Sequence, residues 1–238
     1  MQPDQQRAHT LDAYERLAGV WDDTDDNLWN EALERASVRR LLPIQLGGLR
    51  VLDAGCASGA HAAWLAQHGC AVVALDRSPL MVTQARARLG GGAGVVADLG
   101  QLPFAPRAFD GIVCSLALHY LEDMATALAW FAQILRPGGW LVLTLDHPFG
   151  PVSSDTEPDY FATRLVTDTW EKRGVVVTQA FYRRPLSAVT DDLADAGFVI
   201  ERIDEPKVGQ ADVERFGAEA AEVQGRPTFI AYLARRTS

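Results

Sequence analysis

From Leu49 onward, short runs of apolar residues alternate with segments of helical pattern, and this alternation limits the fold more than any other feature of the chain. Residues 50–54 read as a first strand, followed by a Gly-flanked turn and an Ala-rich helix to about Gln67. Residues 71–75 are a second strand. Ser78-Pro79 is a strong helix start, because the hydroxyl accepts backbone N–H bonds and proline suits the first turn; that helix is expected to reach Leu89 and stop at Gly90. Residues 94–97 and 109–115 are a third and a fourth strand. A helix over 123–135 is ended by the Arg136-Pro137-Gly138-Gly139 turn, and 140–145 form a fifth strand. Short buried strands separated by amphipathic helices need crossover connections, so the fold class is α/β with a parallel, doubly wound sheet.

The alternation breaks at His147. Residues 148–185 are rich in Pro, Asp and aromatics, with two β-like runs on either side of Lys172-Arg173-Gly174. A helix over 187–196, ended by Gly197, restores the pattern, and 198–203 and 228–234 supply the last two strands, with one short helix expected between them in 206–227. Upstream, residues 9–42 read as two helices split by an acidic, tryptophan-bearing stretch from Trp21 to Trp29. The expected organisation is one integrated domain: a helical cap (1–48), a core (49–147 and 186–238), and a flap (148–185) inserted where such sheets carry their ligand contacts.

A chain of 238 residues, 48% hydrophobic and 22% charged, is long enough for one such domain with a sizeable core. Its net charge of -9 argues against nucleic acid or an anionic membrane surface as partner, since both reward clustered Lys and Arg. No run approaches the roughly 20 apolar residues needed to cross a bilayer, and residues 1–20 hold no basic segment followed by an apolar one. Cys56, Cys70 and Cys114 stand in apolar stretches without metal-ligand or disulfide spacing, so a reducing, cytoplasmic setting and no metal site are expected.

The first turn reads Val51-Leu52-Asp53-Ala54-Gly55-Cys56-Ala57-Ser58-Gly59, small residues that let backbone approach a ligand at a helix start. This turn alone does not separate nicotinamide enzymes from others, although Ala57 stands where the dinucleotide fingerprint needs glycine. Asp53 before the turn would repel a pyrophosphate but welcome an ammonium or sulfonium. Asp76 closes the second strand as a ribose-binding acid would, Asp98-Leu99 follows the third, and the chain ends on a strand–loop–strand pattern.

With LDAGCASG, VVALDRSPLMVTQAR, VVADLGQLPF, FDGIVCSLALHYLED and LRPGGWLVLTLDHP in this order, the chain resembles the seven-stranded class I S-adenosylmethionine-dependent methyltransferases, specifically the small-molecule enzymes of the ubiquinone-biosynthesis-like type. The resemblance covers about 50–148 and continues less specifically to about 206. It implies a mostly parallel seven-stranded sheet whose last strand is antiparallel, S-adenosylmethionine as cofactor, and methyl transfer to O, N or C of a small molecule. It implies further that Asp53, Ala54, Gly55, Cys56 and Gly59 frame the methionine end, that Asp76 holds the ribose hydroxyls, and that Arg77 and Met81 flank the adenosine. Asp98 would meet the adenine amine and the Leu99 backbone its ring nitrogen; Ser115 and Leu116 would lie beneath the methionyl portion, with Tyr14 and Trp21 closing over the cofactor. The family's second turn glycine is Ala57 here.

Transfer from an activated donor depends on alignment and exclusion of water, so a base is optional. His147 and His119, at the edge where substrate should sit, are the candidates for one. Aromatics outside the motifs, among them Tyr14, Trp21, Trp29, Phe149, Tyr160, Phe161, Trp170 and Tyr182, suggest a flat or hydrophobic acceptor. Three other readings stay open at this point: a cofactor-binding protein without transfer, a scaffold reused for another reaction, and a nicotinamide dehydrogenase. The acceptor and the oligomeric state, a homo-oligomer included, are not legible.

Overall fold

The computed structural model describes residues 3–21, 27–151 and 159–237. Residues 22–26 of the acidic stretch and 152–158 of the flap lie outside the described residues. Seven strands form one sheet: β1 (Arg50–Ala54), β2 (Ala71–Asp76), β3 (Ala93–Val96), β4 (Phe109–Ser115), β5 (Leu135–Asp146), β8 (Phe198–Asp204) and β9 (Phe229–Arg236). Their order is β3-β2-β1-β4-β5-β9-β8. All neighbours from β3 to β5 are parallel, and β9 runs antiparallel to both β5 and β8. The doubly wound α/β sheet expected from the sequence is the one observed.

Period-two alternation assigns each strand's side chains to two apolar layers. Leu52, Ile112, Cys114, Leu141, Leu143 and Tyr232 pack into one layer with helices α5 (Met124–Ile134) and α6 (Leu186–Asp195). Val51, Val113, Val142 and Leu233 pack into the other with Leu65 of α3 (Ala60–Gln67) and with Val38 and Leu41 of α2 (Ala36–Leu41). A π-helical segment, Leu28–Arg35, runs directly into α2. Helix α4 (Pro79–Arg88) starts as expected, with the Ser78 hydroxyl accepting from the Met81 N–H at 3.2 Å.

Two expectations shift. The Arg136–Gly139 turn is not a break before β5 but an irregularity within it: Leu135 already pairs with Phe109, and the register resumes at Gly111 opposite Trp140. The segment after β8 holds two short helices, α7 (Gln210–Phe216) and α8 (Ala218–Val223), because Gly217 at φ +67° turns the chain between them.

The flap is a hairpin, β6 (Arg164–Lys172) with β7 (Val175–Arg183), joined by Arg173 and Gly174, both at positive φ as a tight hairpin turn requires. Helix α1 (Pro3–Leu17) lies along β7 and closes its open edge. Gln6 Nε2, His9 Nε2 and Arg16 Nη2 reach the carbonyls of Ala180, Thr178 and Val176 at 2.6, 2.6 and 2.9 Å. These are alternate carbonyls, all on the edge that would otherwise be unpaired.

A Cβ on Gly111 would sit 2.1 Å from the Trp140 indole, which is 3% exposed and has no room to move. Gly111→Ala is therefore expected to cost about 1–3 kcal/mol, lowering Tm by roughly 2–10 °C in calorimetry. Gly47→Ala, whose new atom meets nothing nearer than 4.0 Å, is the control expected to change Tm little.

Candidate active site

The parallel strands end at one edge, and the turn from β1 to α3 is built there from residues that only small side chains allow. Gly55 has φ +76°, and a Cβ on it would lie 2.4 Å from that of Ala117. Gly59 has φ +84°, and a Cβ on it would lie 2.7 Å from that of Ala85. Ala57 adopts φ 45°, a left-handed conformation that costs an alanine about 1–2 kcal/mol. What holds it is Asp76: its Oδ2 accepts from the Ala57 N–H and its Oδ1 from the Ser78 N–H, both at 2.9 Å. Burial raises the Asp76 pKa, and these N–H groups work against that rise.

Asp53 points to the opposite side of the turn. It is 1% exposed, accepts from the Ala62 N–H of α3 at 2.8 Å, and has its pKa pushed up to about 6 by burial. Cys56 is buried, and burial holds its thiol well above the usual range, so it packs and does not react.

Above this edge lies a cavity of about 670 Å³. It brings together Tyr14, Trp21, Gly55, Cys56, Asp76, Arg77, Asp98, Leu99, Ser115, Leu116 and His119. Asp53, Ala54, Gly59, Met81 and His147 are not among its lining residues; Met81 is fully buried in the packing of α4.

One wall is a polar cluster around Ser115 whose Glu34 sequence reasoning missed. Glu34, from the π-helical segment, contacts His61 Nε2 at 2.9 Å and accepts a short hydrogen bond from the Ser115 hydroxyl. Burial would neutralise both partners, but each outweighs it in the other: the Glu34 pKa falls and that of His61 rises. Ser115 also meets Thr144 Oγ1 at 2.8 Å, and Thr144 takes the Leu116 N–H on its carbonyl and its hydroxyl, both at 3.1 Å. That grip holds Leu116 at φ 46°.

The roof is α1 with the hairpin. Arg7 Nη2 meets Asp98 Oδ1 at 2.5 Å, Arg77 donates to the Arg7 carbonyl at 2.9 Å, and Glu15 accepts from Ser78. Beneath the hairpin is an aromatic chamber. Tyr14 and Tyr120 join hydroxyls at 3.0 Å, Tyr14 lies against Trp21, and Lys172 Nζ sits 3.8 Å over the Trp21 ring. Asp146, Asp168, Trp170 and Phe181 also line it.

The two histidines differ. His147 Nε2 is 3.0 Å from Glu205, its Nδ1 accepts from the Phe149 N–H at 3.1 Å, and its ring lies outside the cavity lining. His119 lines the cavity, is 5% exposed, and has neither ring nitrogen in a hydrogen bond among the described residues. Burial, with Arg184 adding to it, pushes its pKa down to about 3, so the ring stays neutral. Its Nδ1 lies 3.1 Å from Asp146 Oδ2 without hydrogen-bond alignment. Asp146 lines the cavity with 30% of its side chain exposed; burial and Asp168 push its pKa up to about 7, partly offset by Arg183. No grouping of His, Cys, Asp and Glu able to hold a metal occurs among the described residues. No helix among them is long and apolar enough to cross a membrane.

A mostly parallel sheet of this order, with a glycine turn, an acid closing β2 and a roofed cavity at the carboxyl edge, is a nucleoside-cofactor-binding fold. The family model described as methyltransferase domain matches residues 52–143. The structure of an S-adenosylmethionine-dependent methyltransferase from Mesorhizobium loti is 32% identical, covers 84% of this chain and 96% of its own, and superposes with a TM-score of 0.66. The chain belongs to the class I S-adenosylmethionine-dependent methyltransferases, and S-adenosylmethionine is its cofactor. A demethylmenaquinone methyltransferase of Tropheryma whipplei is 35% identical over 57% of this chain and 58% of its own. A malonyl-acyl-carrier-protein O-methyltransferase of Enterobacter lignolyticus is 37% identical over 40% of this chain and 38% of its own. Against both enzymes the match spans less than two thirds of the relative's length.

Ala57→Gly removes the left-handed cost but adds unfolded-state entropy of about 0.4–1 kcal/mol, so its net effect is expected between zero and about +1 kcal/mol, read as an unchanged or raised Tm. Asp146 gives a pH test. Its folded pKa lies above the unfolded value, so the native state keeps a proton the unfolded chain has lost, and stability falls as pH rises from about 4 to about 7. Asp146→Asn is expected to raise Tm by several degrees at about pH 8, by less at about pH 5, with no further gain above about pH 7.

Proposed function

We propose that this methyltransferase modifies a small, largely apolar molecule held in the aromatic chamber under α1 and the β6–β7 hairpin. The observation that carries the reading is the continuity of one roofed cavity. It runs from Asp76 and Asp98 past Ser115 to His119, Asp146 and Trp170, large enough for a drug-sized ligand.

The residues present suit the cofactor. The Asp76 oxygens accept from the backbone N–H groups of Ala57 and Ser78 and, with about four acceptor directions between them, keep room for a ribose hydroxyl. Ala97 and Leu99 offer apolar surface for a base, with Asp98 beside them and Arg77 near the ribose. Ser58 Oγ, buried and without a partner among the described residues, lies in the turn where the amino-acid end would rest, opposite Glu34 and His61. Asp53, Ala54 and Gly59 act from beneath, by shaping the turn, and Met81 by packing α4 below the adenosine.

When bound, S-adenosylmethionine supplies a methyl group already activated by a sulfonium. The chain's task is then to orient an acceptor against that methyl and to keep water out. Leu116, Tyr14 and Trp21 form walls that do both, and the neutral His119 with Asp146 offers a place for a proton. His147, tied to Glu205 outside the lining, is left to hold the β5 end in shape.

Calorimetry with S-adenosylhomocysteine tests the cofactor half. Wild type is expected to bind in the micromolar range, on the order of −8 kcal/mol, and Asp76→Ala to lose at least a factor of ten while remaining folded by circular dichroism. Unchanged affinity in the variant would remove Asp76 from the site.

A further inference from the structure

We propose that the acceptor is a basic amine: the chamber receives it as an ammonium ion, and Asp146 takes the proton that must leave before nitrogen attacks. This rests on the reading of the chamber as the acceptor site.

Three observations converge. First, Asp146 and Asp168 both line the same cavity, one from the end of β5 and the other from β6. The groups that face Asp146 are His119 from the turn after β4, Tyr14 from α1, Tyr120, Asp168, and Arg183 from β7. Of these, only Arg183 is cationic, and its guanidinium is turned to the carbonyls of His147 and Gly150. Lys172 and Arg173 line the same cavity, but Asp146 and Asp168 repel each other, and an ammonium placed by them relieves that repulsion whereas a carboxylate or phenolate acceptor adds to it.

Second, His119 is a polar ring, 5% exposed, on the cavity wall; neither nitrogen is in a hydrogen bond among the described residues, and the one near contact is Nδ1 with Asp146, out of alignment. A buried neutral imidazole without a partner points to a ligand that supplies one. With its proton on Nδ1, toward Asp146, the ring leaves Nε2 as an acceptor for an N–H donor. Third, the aromatic wall already takes a cation: the Lys172 ammonium rests 3.8 Å over Trp21, beside Tyr14. Aromatic faces near carboxylates are the usual recognition chemistry for an ammonium group.

The step balances. The ammonium N–H bond breaks, its proton goes to an Asp146 oxygen, and its electron pair returns to nitrogen. That pair forms the new N–C bond as the methyl carbon leaves sulfur, the C–S pair staying on sulfur as a thioether. The product departs as an N-methylammonium ion, and Asp146 then releases its proton to solvent. The raised Asp146 pKa suits a group that must accept and then return a proton near neutrality.

The test offers the full chain labelled S-adenosylmethionine with three acceptor pools matched in size: arylalkylamines, phenols and arylcarboxylates. Label in the amine pool is expected. Label only in the phenol or carboxylate pool overturns the amine assignment and leaves a small-molecule acceptor standing. No label in any pool, from protein that binds S-adenosylhomocysteine, overturns both. With the best amine, Asp146→Asn is expected to lose at least tenfold in kcat/KM and the acidic limb of the pH profile, while S-adenosylhomocysteine affinity stays within a factor of two. Asp168→Asn is expected to raise KM for the amine with little change in kcat. Asp146→Asn with wild-type kcat/KM and an unchanged pH profile would remove the proton role.

Discussion

The site hangs from the two backbone N–H groups that Asp76 gathers at the end of β2. One belongs to the β1–α3 turn and the other to the start of α4, so a single buried carboxylate ties two crossovers to the same strand end. The tie holds Ala57 in a conformation an alanine does not choose, and it keeps the turn narrow enough that Gly55 touches Ala117 on the next crossover. Its energetic basis is the strength of hydrogen bonds to a charged acceptor, which exceeds the cost of one left-handed residue. The sheet edge becomes a rigid rim, and the rim sets where a ligand can lie.

A second constraint acts from above. Helix α1 has weak amphipathic character of its own, yet it is held on two sides. Gln6, His9 and Arg16 complete the free edge of β7, while Arg7 and Glu15 reach the ends of β3 and β2 at Asp98 and Ser78. The hairpin, the helix and the cofactor-side rim thus move as one linked set, since displacing α1 unpairs carbonyls on one side and a carboxylate on the other. The chamber exists because of this linkage. It also explains why Asp146 is an internal group although it stands at a strand end.

Much of this was legible in the residues. The strand–helix alternation, the Ser78-Pro79 helix start and the hairpin turn at Arg173-Gly174 are local signals, and local chemistry sets them. Asp76 and Asp98 were legible as cavity residues because they stand at or just after strand ends, which face ligands in parallel sheets, and Ser115 was reached only through the family resemblance. Glu34, Arg7, Asp146 and Asp168 were not. Glu34 stands in a π-helical turn where sequence pattern shows only an amphipathic segment, and Arg7 and Asp168 belong to elements far from the motifs. His147 and Asp146 are adjacent in sequence, and the choice between them depends on which way the chain leaves β5: one side chain enters the cavity and the other turns to Glu205.

What the sequence determined by itself is therefore the succession of strands and helices, the parallel α/β class and the acidic strand ends, because each follows from periodicity and turn chemistry within a few residues. The tertiary structure alone decided the inside of the chamber. Which carboxylates face each other, which histidine is left without a partner, and which aromatic ring carries a lysine depend on long-range contacts between α1, the hairpin and the β4 and β5 ends. Those contacts remove water from side chains that look ordinary in the sequence, and loss of water is what shifts the proton affinities of Asp146 and His119 in opposite directions.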